Sequence, residues 1–120
     1  MSGDSTPIYE PGDVVYGVDP FTGDRAARPW LIVSNHDGRP FHGEQYIALT
    51  LTTRSWHDDA IEIPDGAWTR GGTPEKSSVV PWGVQSIGID DIETWQGTLN
   101  ARLLETCVRD LIDEISRTGG

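Results

Sequence analysis

The hydrophobic period of this chain changes once, near Thr98, and that change restricts the fold more than any other feature of the sequence. Before it, apolar residues come in short runs broken by turn residues; after it, they recur at helical spacing. Fourteen glycines and eight prolines fall mostly in the first two-thirds, which leaves room for short strands joined by turns and little for long helices. Val14-Val15-Tyr16 follows the turn signal Pro11-Gly12-Asp13, and Trp30-Leu31-Ile32-Val33 follows Pro29 as the continuous apolar run of a buried strand. Tyr46 to Thr52 alternates, with Ile47, Leu49 and Leu51 on one face and Ala48, Thr50 and Thr52 on the other. Ala60 to Ile63 before Pro64-Asp65-Gly66, and Ser78 to Val80 before Pro81-Trp82-Gly83, supply further short strands, with Val84 to Ile87 a candidate for another. Between Thr98 and Arg117, residues Leu104, Cys107, Val108, Leu111, Ile112 and Ile115 stand at offsets 0, 3, 4, 7, 8 and 11, the apolar stripe of an amphipathic helix. Thr98 is its expected N-cap, and Gly119-Gly120 the stop signal. The expected class is mainly β (α+β), a small antiparallel SH3-like barrel followed by a C-terminal amphipathic helix.

A chain of 120 residues has the size of one domain, expected over residues 11–118 behind a flexible tail of residues 1–10. Folding at this length buries roughly two-thirds of the chain's surface, so no disulfide or structural metal is required. Cys107 is the only cysteine; it excludes an intramolecular disulfide and a cysteine-built zinc site, and its place on the apolar stripe makes it a packing residue. No apolar run reaches the roughly 18 residues of a membrane span, and the N-terminus lacks a signal peptide's basic-then-apolar pattern. A cytoplasmic protein with no membrane partner is expected.

Nineteen acidic residues against nine basic ones give a formal net charge of −10, which argues against a nucleic-acid binder that works through a broadly basic surface. Lys76 is the one lysine among those nine, and the acidic balance suits a protein adapted to concentrated salt. The charge is uneven. Residues 1–24 hold five acids and no base, residues 25–76 seven acids and six bases, and residues 77–120 seven acids and three bases. The middle segment is nearly neutral, and its arginines and Lys76 can gather locally around a phosphate path.

Gly12-Asp13-Val14-Val15, then Arg28-Pro29-Trp30-Leu31-Ile32-Val33-Ser34-Asn35, then Leu49-Thr50-Leu51-Thr52-Thr53, followed by Ser78-Val79-Val80 and the terminal helix, form an ordered set. In that order they resemble the MazF/PemK family of toxin endoribonucleases from toxin–antitoxin systems, over about residues 11–116, with the Arg-Pro-strand segment the most specific part. The resemblance implies a MazF-like barrel and a metal-independent endoribonuclease that cleaves single-stranded RNA, the toxin of a type II pair. It implies no cofactor, a homodimer with RNA across its interface, and a cognate antitoxin that covers the site with an extended peptide. It also makes Arg28 and Thr52 the catalytic pair.

The chemistry is consistent with those residue types. Cleavage by the ribose 2′-OH needs that hydroxyl activated, an anionic phosphorane stabilised and the leaving 5′-oxygen protonated. Arg28 can grip two phosphate oxygens with its planar guanidinium, but a guanidinium is a poor proton acceptor. Thr52 can hydrogen-bond the phosphate or the 2′-OH, and Thr53 would replace it if the register differed by one residue, which reverses the exposed face. The loop before Arg28 departs from the family's common Gly-Ser-Glu-Gln, reading Phe21-Thr22-Gly23-Asp24-Arg25-Ala26-Ala27. Asp24 is its acidic member, and Arg25 and Arg54 are further supporting candidates. Trp56, Trp68 and Trp82 lie in or beside expected loops, where they either stack on unpaired bases or close the barrel as hydrophobic lids. His36, His42 and His57 have no short ligand spacing, so no metal site is expected, while a histidine beside Arg28 would supply an acid or base. The competing reading is a non-catalytic barrel: a CcdB-like toxin that binds DNA gyrase, against which the ending Arg117-Thr118-Gly119-Gly120 speaks, or an inactive paralogue serving as a binding module.

Overall fold

The computed structural model describes residues 8–18, 27–34, 44–53 and 59–116. The elements are β1 (Asp13–Val18), β2 (Ala27–Ile32), β3 (Gln45–Thr52), β4 (Ile61–Glu62), β5 (Trp68–Gly71), β6 (Ser78–Gly88), β7 (Ile92–Leu99) and α1 (Ala101–Ser116). Short 3-10 turns occupy Asp65–Ala67 and Ile89–Asp91. The seven strands form one antiparallel sheet in the order β4-β6-β3-β2-β1-β7-β5. Gly12 immediately precedes β1 at φ 100°, a conformation that strains any side chain. Its N–H donates to the Ile32 carbonyl (2.8 Å) and its carbonyl accepts from the Leu99 N–H (2.9 Å), so one turn residue ties β1 to both neighbours.

Both faces of the central strands are covered, which is why they read as continuous apolar runs. One cluster gathers Val14, Leu31, Leu49, Leu51, Ile63, Ala67, Val79, Leu99 and Cys107, with Leu103, Leu104 and Leu111 of α1 packed against it. Ile63 and Val79 come from one margin of the sheet, Ala67 and Leu99 from the other. A flat sheet cannot bring them together, so the strands curl around the helix into a half-barrel, and this cluster marks the inner face. The outer face carries a second cluster of Val15, Trp30, Ile32, Tyr46, Ala48 and Ile87, with Tyr9, Ile89 and Ile92 packed against it.

The expected mainly β architecture with a terminal amphipathic helix is therefore present, and the differences lie in its boundaries. Ser78–Val80 and Val84–Ile87 are parts of the single strand β6. β5 and β7 have no counterpart in the sequence reading, because bulges break their alternation: Val14 pairs with Gly97 but Val15 with Trp95, which skips Gln96. Thr98 does not cap the helix. It lies in β7, and Asn100 caps α1 through Oδ1, which accepts the Leu103 N–H at 2.8 Å. Residues 1–7 of the expected tail lie outside the described residues, but Tyr9 is held: its N–H donates to the Tyr46 hydroxyl (3.1 Å) and the two rings meet edge to face at 5.7 Å. Among the described residues, no helix is long and apolar enough to cross a membrane.

Candidate functional site

Arg28 enters β2 one residue after its start, opposite Gly17 of β1. Alternation puts Arg28, Trp30 and Ile32 on the outer face. The Trp30 indole is buried and donates to the carbonyl of Gly17, the residue paired with Arg28 (3.4 Å). Trp30 pairs across the sheet with Thr50 of β3. From two residues away, Arg28 Nη1 reaches diagonally and donates to Thr50 Oγ1 at 3.2 Å. Both residues are half-buried.

Thr50 sits at an irregularity that holds it in place. Leu49 pairs with Val84 and Leu51 with Val79, so residues 80–83 of β6 stand opposite the single residue Thr50. Val80 and Pro81 of this bulge are buried, whereas Trp82 is 41% exposed. Gly83 lies so close that a Cβ there would come within 2.6 Å of Thr50 Cγ2. The glycine thus permits the bulge to press on the threonine.

The pair's polarity is informative. Thr50 Oγ1 accepts from the guanidinium, so its own hydroxyl proton is directed elsewhere as a donor. A fixed guanidinium beside a hydroxyl donor suits an anionic phosphate. A hollow of about 240 Å³ borders the bulge at Pro81, lined also by Asp59, Asp110, Asp113 and Glu114. Those carboxylates repel phosphate, which favours an approach over the Arg28 side.

Of the residues singled out from sequence, the structure brings Arg28 onto the same face as Thr52, which is half-buried at the end of β3. Thr53 is exposed beyond that end. The residue that meets Arg28 is Thr50, two residues before the expected Thr52. Its signal was its shared face with Thr52; the register that sets it beside Arg28 was not visible. Trp82 belongs to the bulge, and Trp68 packs against the inner cluster with its ring against Gly72 and Gly97. Asp24, Arg25, Arg54, Trp56, His36, His42 and His57 lie outside the described residues. Cys107 is fully buried, and burial, with Asp110 nearby, pushes its thiol pKa up to about 12. Among the described residues, no group of three or more His, Cys, Asp or Glu side chains is placed to hold a metal ion.

No family model and no curated protein matches this sequence. Solved structures do. An endoribonuclease in complex with its cognate antitoxin, from a mycobacterial species, is 21% identical with a TM-score of 0.62, covering 92% of this chain and 93% of that one. MazE–MazF from Deinococcus radiodurans gives a TM-score of 0.67 at 17% identity, over 92% of this chain and 97% of that one. The Mycobacterium tuberculosis toxin MazF-mt6 gives 0.61 at 21% identity, over 85% and 93%. At these identities the likeness is one of architecture: this chain has the fold of the MazF endoribonuclease toxins.

Proposed function

We propose that this protein is the toxin of a type II toxin–antitoxin pair, a metal-independent endoribonuclease that cleaves single-stranded RNA by attack of the ribose 2′-OH. The observation that carries this reading is the Arg28–Thr50 hydrogen bond on the outer face of a fold shared with endoribonucleases. Arg28 grips the non-bridging oxygens of the scissile phosphate and stabilises charge that develops in the phosphorane. Thr50 orients the guanidinium and donates its hydroxyl to the phosphate, with Thr52 next along the same face. The alternative of a non-catalytic, gyrase-binding or inactive barrel gains no support from these neighbours.

The partners follow from the same reading. Two neighbours are described with an antitoxin, which supports a cognate antitoxin here. Ile47, Val84, Ile112 and Ile115 are exposed large apolar residues; the first two share the Leu49 face, and the others lie on the helix packed against it. They support a homodimer, which sedimentation of the purified protein would show and Ile112→Asp with Ile115→Asp would split.

The test is cleavage of single-stranded RNA with metal chelated, over a range of salt. Arg28→Ala is expected to lower the rate by about a hundredfold or more, and Thr50→Val more than Thr52→Val. No cleavage by the wild type at any salt, or an Arg28→Ala rate equal to it, would sink the nuclease reading. Loss in Thr52→Val with Thr50→Val unaffected would return the threonine role to Thr52.

A further inference from the structure

Away from Arg28, the outer face carries a second arrangement that packing alone does not require. The Asp13 carboxylate is only 8% exposed and both its oxygens are engaged. Oδ1 accepts from the Thr98 hydroxyl (2.7 Å) and the Trp95 indole N–H (3.3 Å), and Oδ2 accepts from the Glu10 N–H (2.8 Å). A buried acidic side chain thus fixes the orientation of an indole whose residue remains 37% exposed. Arg70 of β5, paired across the sheet with Thr98, lays its guanidinium over that ring, 5.1 Å from the centroid.

Two features single out this pair. In a chain of net charge −10, the exposed Arg70 lies on a tryptophan, and no ion pair of Arg70 occurs among the described residues. A guanidinium held over an aromatic face is attracted by the ring's charge distribution and spends none of its N–H donors on a hydrogen bond to a carboxylate. The pair also lies on the face of the candidate cleavage site. Trp95 pairs with Val15, Val15 with Trp30, and Trp30 with Thr50. That row spans three strand spacings, about 14 Å along the sheet, a separation that a few nucleotides of extended RNA can bridge.

We propose that Arg70 and Trp95 form a second nucleotide subsite for the single-stranded RNA cleaved at Arg28, a reading that rests on the endoribonuclease function proposed above. Arg70 takes a backbone phosphate of a nucleotide flanking the scissile bond, and the exposed indole takes its unpaired base. An acidic peptide would also be drawn to Arg70, but its carboxylate makes no use of an oriented, exposed indole, whereas a nucleotide uses both.

The experiment measures binding of a labelled single-stranded oligoribonucleotide at several salt concentrations, with steady-state cleavage alongside. Arg70→Gln is expected to weaken binding about threefold to tenfold. Losing one phosphate contact should flatten the slope of log affinity against log salt by about 0.7. Arg70→Lys restores the slope, and the loss in Arg70→Gln enters KM with kcat unchanged. Trp95→Leu, with its melting temperature checked, weakens binding and leaves the slope as in the wild type. Unchanged affinity and slope in Arg70→Gln, with a wild type that binds and cleaves, overturns the subsite and leaves the nuclease reading standing. A wild type that neither binds nor cleaves overturns both. An Arg70→Gln protein that keeps RNA affinity but loses its hold on an acidic antitoxin peptide assigns the pair to that partner and overturns the RNA subsite.

Discussion

Thr50 shows how much a single residue's setting decides. Its methyl group faces Gly83 and its hydroxyl faces Arg28, so rotation about χ1 moves both together. In Gly83→Ala the new Cβ would lie 2.6 Å from Thr50 Cγ2 and 3.3 Å from Val80 Cγ1. Relieving that clash by turning the threonine would carry Oγ1 away from the guanidinium. On the proposed nuclease function, cleavage by Gly83→Ala is therefore expected to fall by about ten- to a hundredfold, with an overpacking cost of about 1–3 kcal/mol. Single-turnover rates and thermal melts check this, and an undiminished rate would show that Thr50's orientation does not matter. Cys107 offers a test by pH. Its folded pKa is raised from the model-compound 9.0 to about 12, so the native state holds a proton that the unfolded chain gives up. Its contribution to stability is full below about pH 9 and declines as pH rises from there toward 12. A thiol reagent at pH 8 is expected to modify Cys107 quickly in denaturant and very slowly in the native protein, and rapid native labelling would contradict the buried placement.

At the scale of elements, the sequence was most readable where one face pattern ran unbroken. β1, β2 and β3 were legible because Val14-Val15-Tyr16, Trp30-Leu31-Ile32 and the alternation from Tyr46 to Thr52 are each unbroken by a turn residue, and α1 because its stripe spans three turns. Pro81-Trp82-Gly83 looks like a turn and divides β6 into two pieces in the sequence, whereas the chain absorbs those residues as a bulge against Thr50. β7 was hidden by its own bulges. Trp95 and Gly97 have the same parity in sequence, yet the extra residue Gln96 places them on opposite faces. The helix start differs for a local reason: Thr98 and Asn100 are both capable caps, and Thr98 is committed to Asp13 across the sheet. Asn100→Ala is accordingly expected to cost about 1 kcal/mol of stability, seen as a lower melting temperature and earlier denaturant midpoint. A Thr98→Ala change that cost the same with the helix frayed, and Asn100→Ala none, would reverse the assignment.

For the molecule as a whole, the charge of −10 and the site answer different demands. The acids include the four that line the hollow at Pro81, while Arg28 and Arg70 project from the outer face. Raising salt from about 0.1 M to 1 M shortens the Debye length from about 10 Å to 3 Å, which relieves repulsion among the carboxylates. The melting temperature is therefore expected to rise by several degrees over that range, measured in sodium chloride. A flat or falling curve would remove the case for salt adaptation. By itself, the sequence determined that the chain makes a mainly β fold with a terminal helix, and that Arg28 stands at the entrance to a buried strand, because alternation and period are local properties. Only the tertiary structure decided that the sheet curls, that Thr50 lies within reach of Arg28, and that Asp13 orients Trp95 beneath Arg70 from 82 residues away. Those choices depend on register and bulges, which set residues distant in the chain side by side and leave no periodic trace in either segment alone.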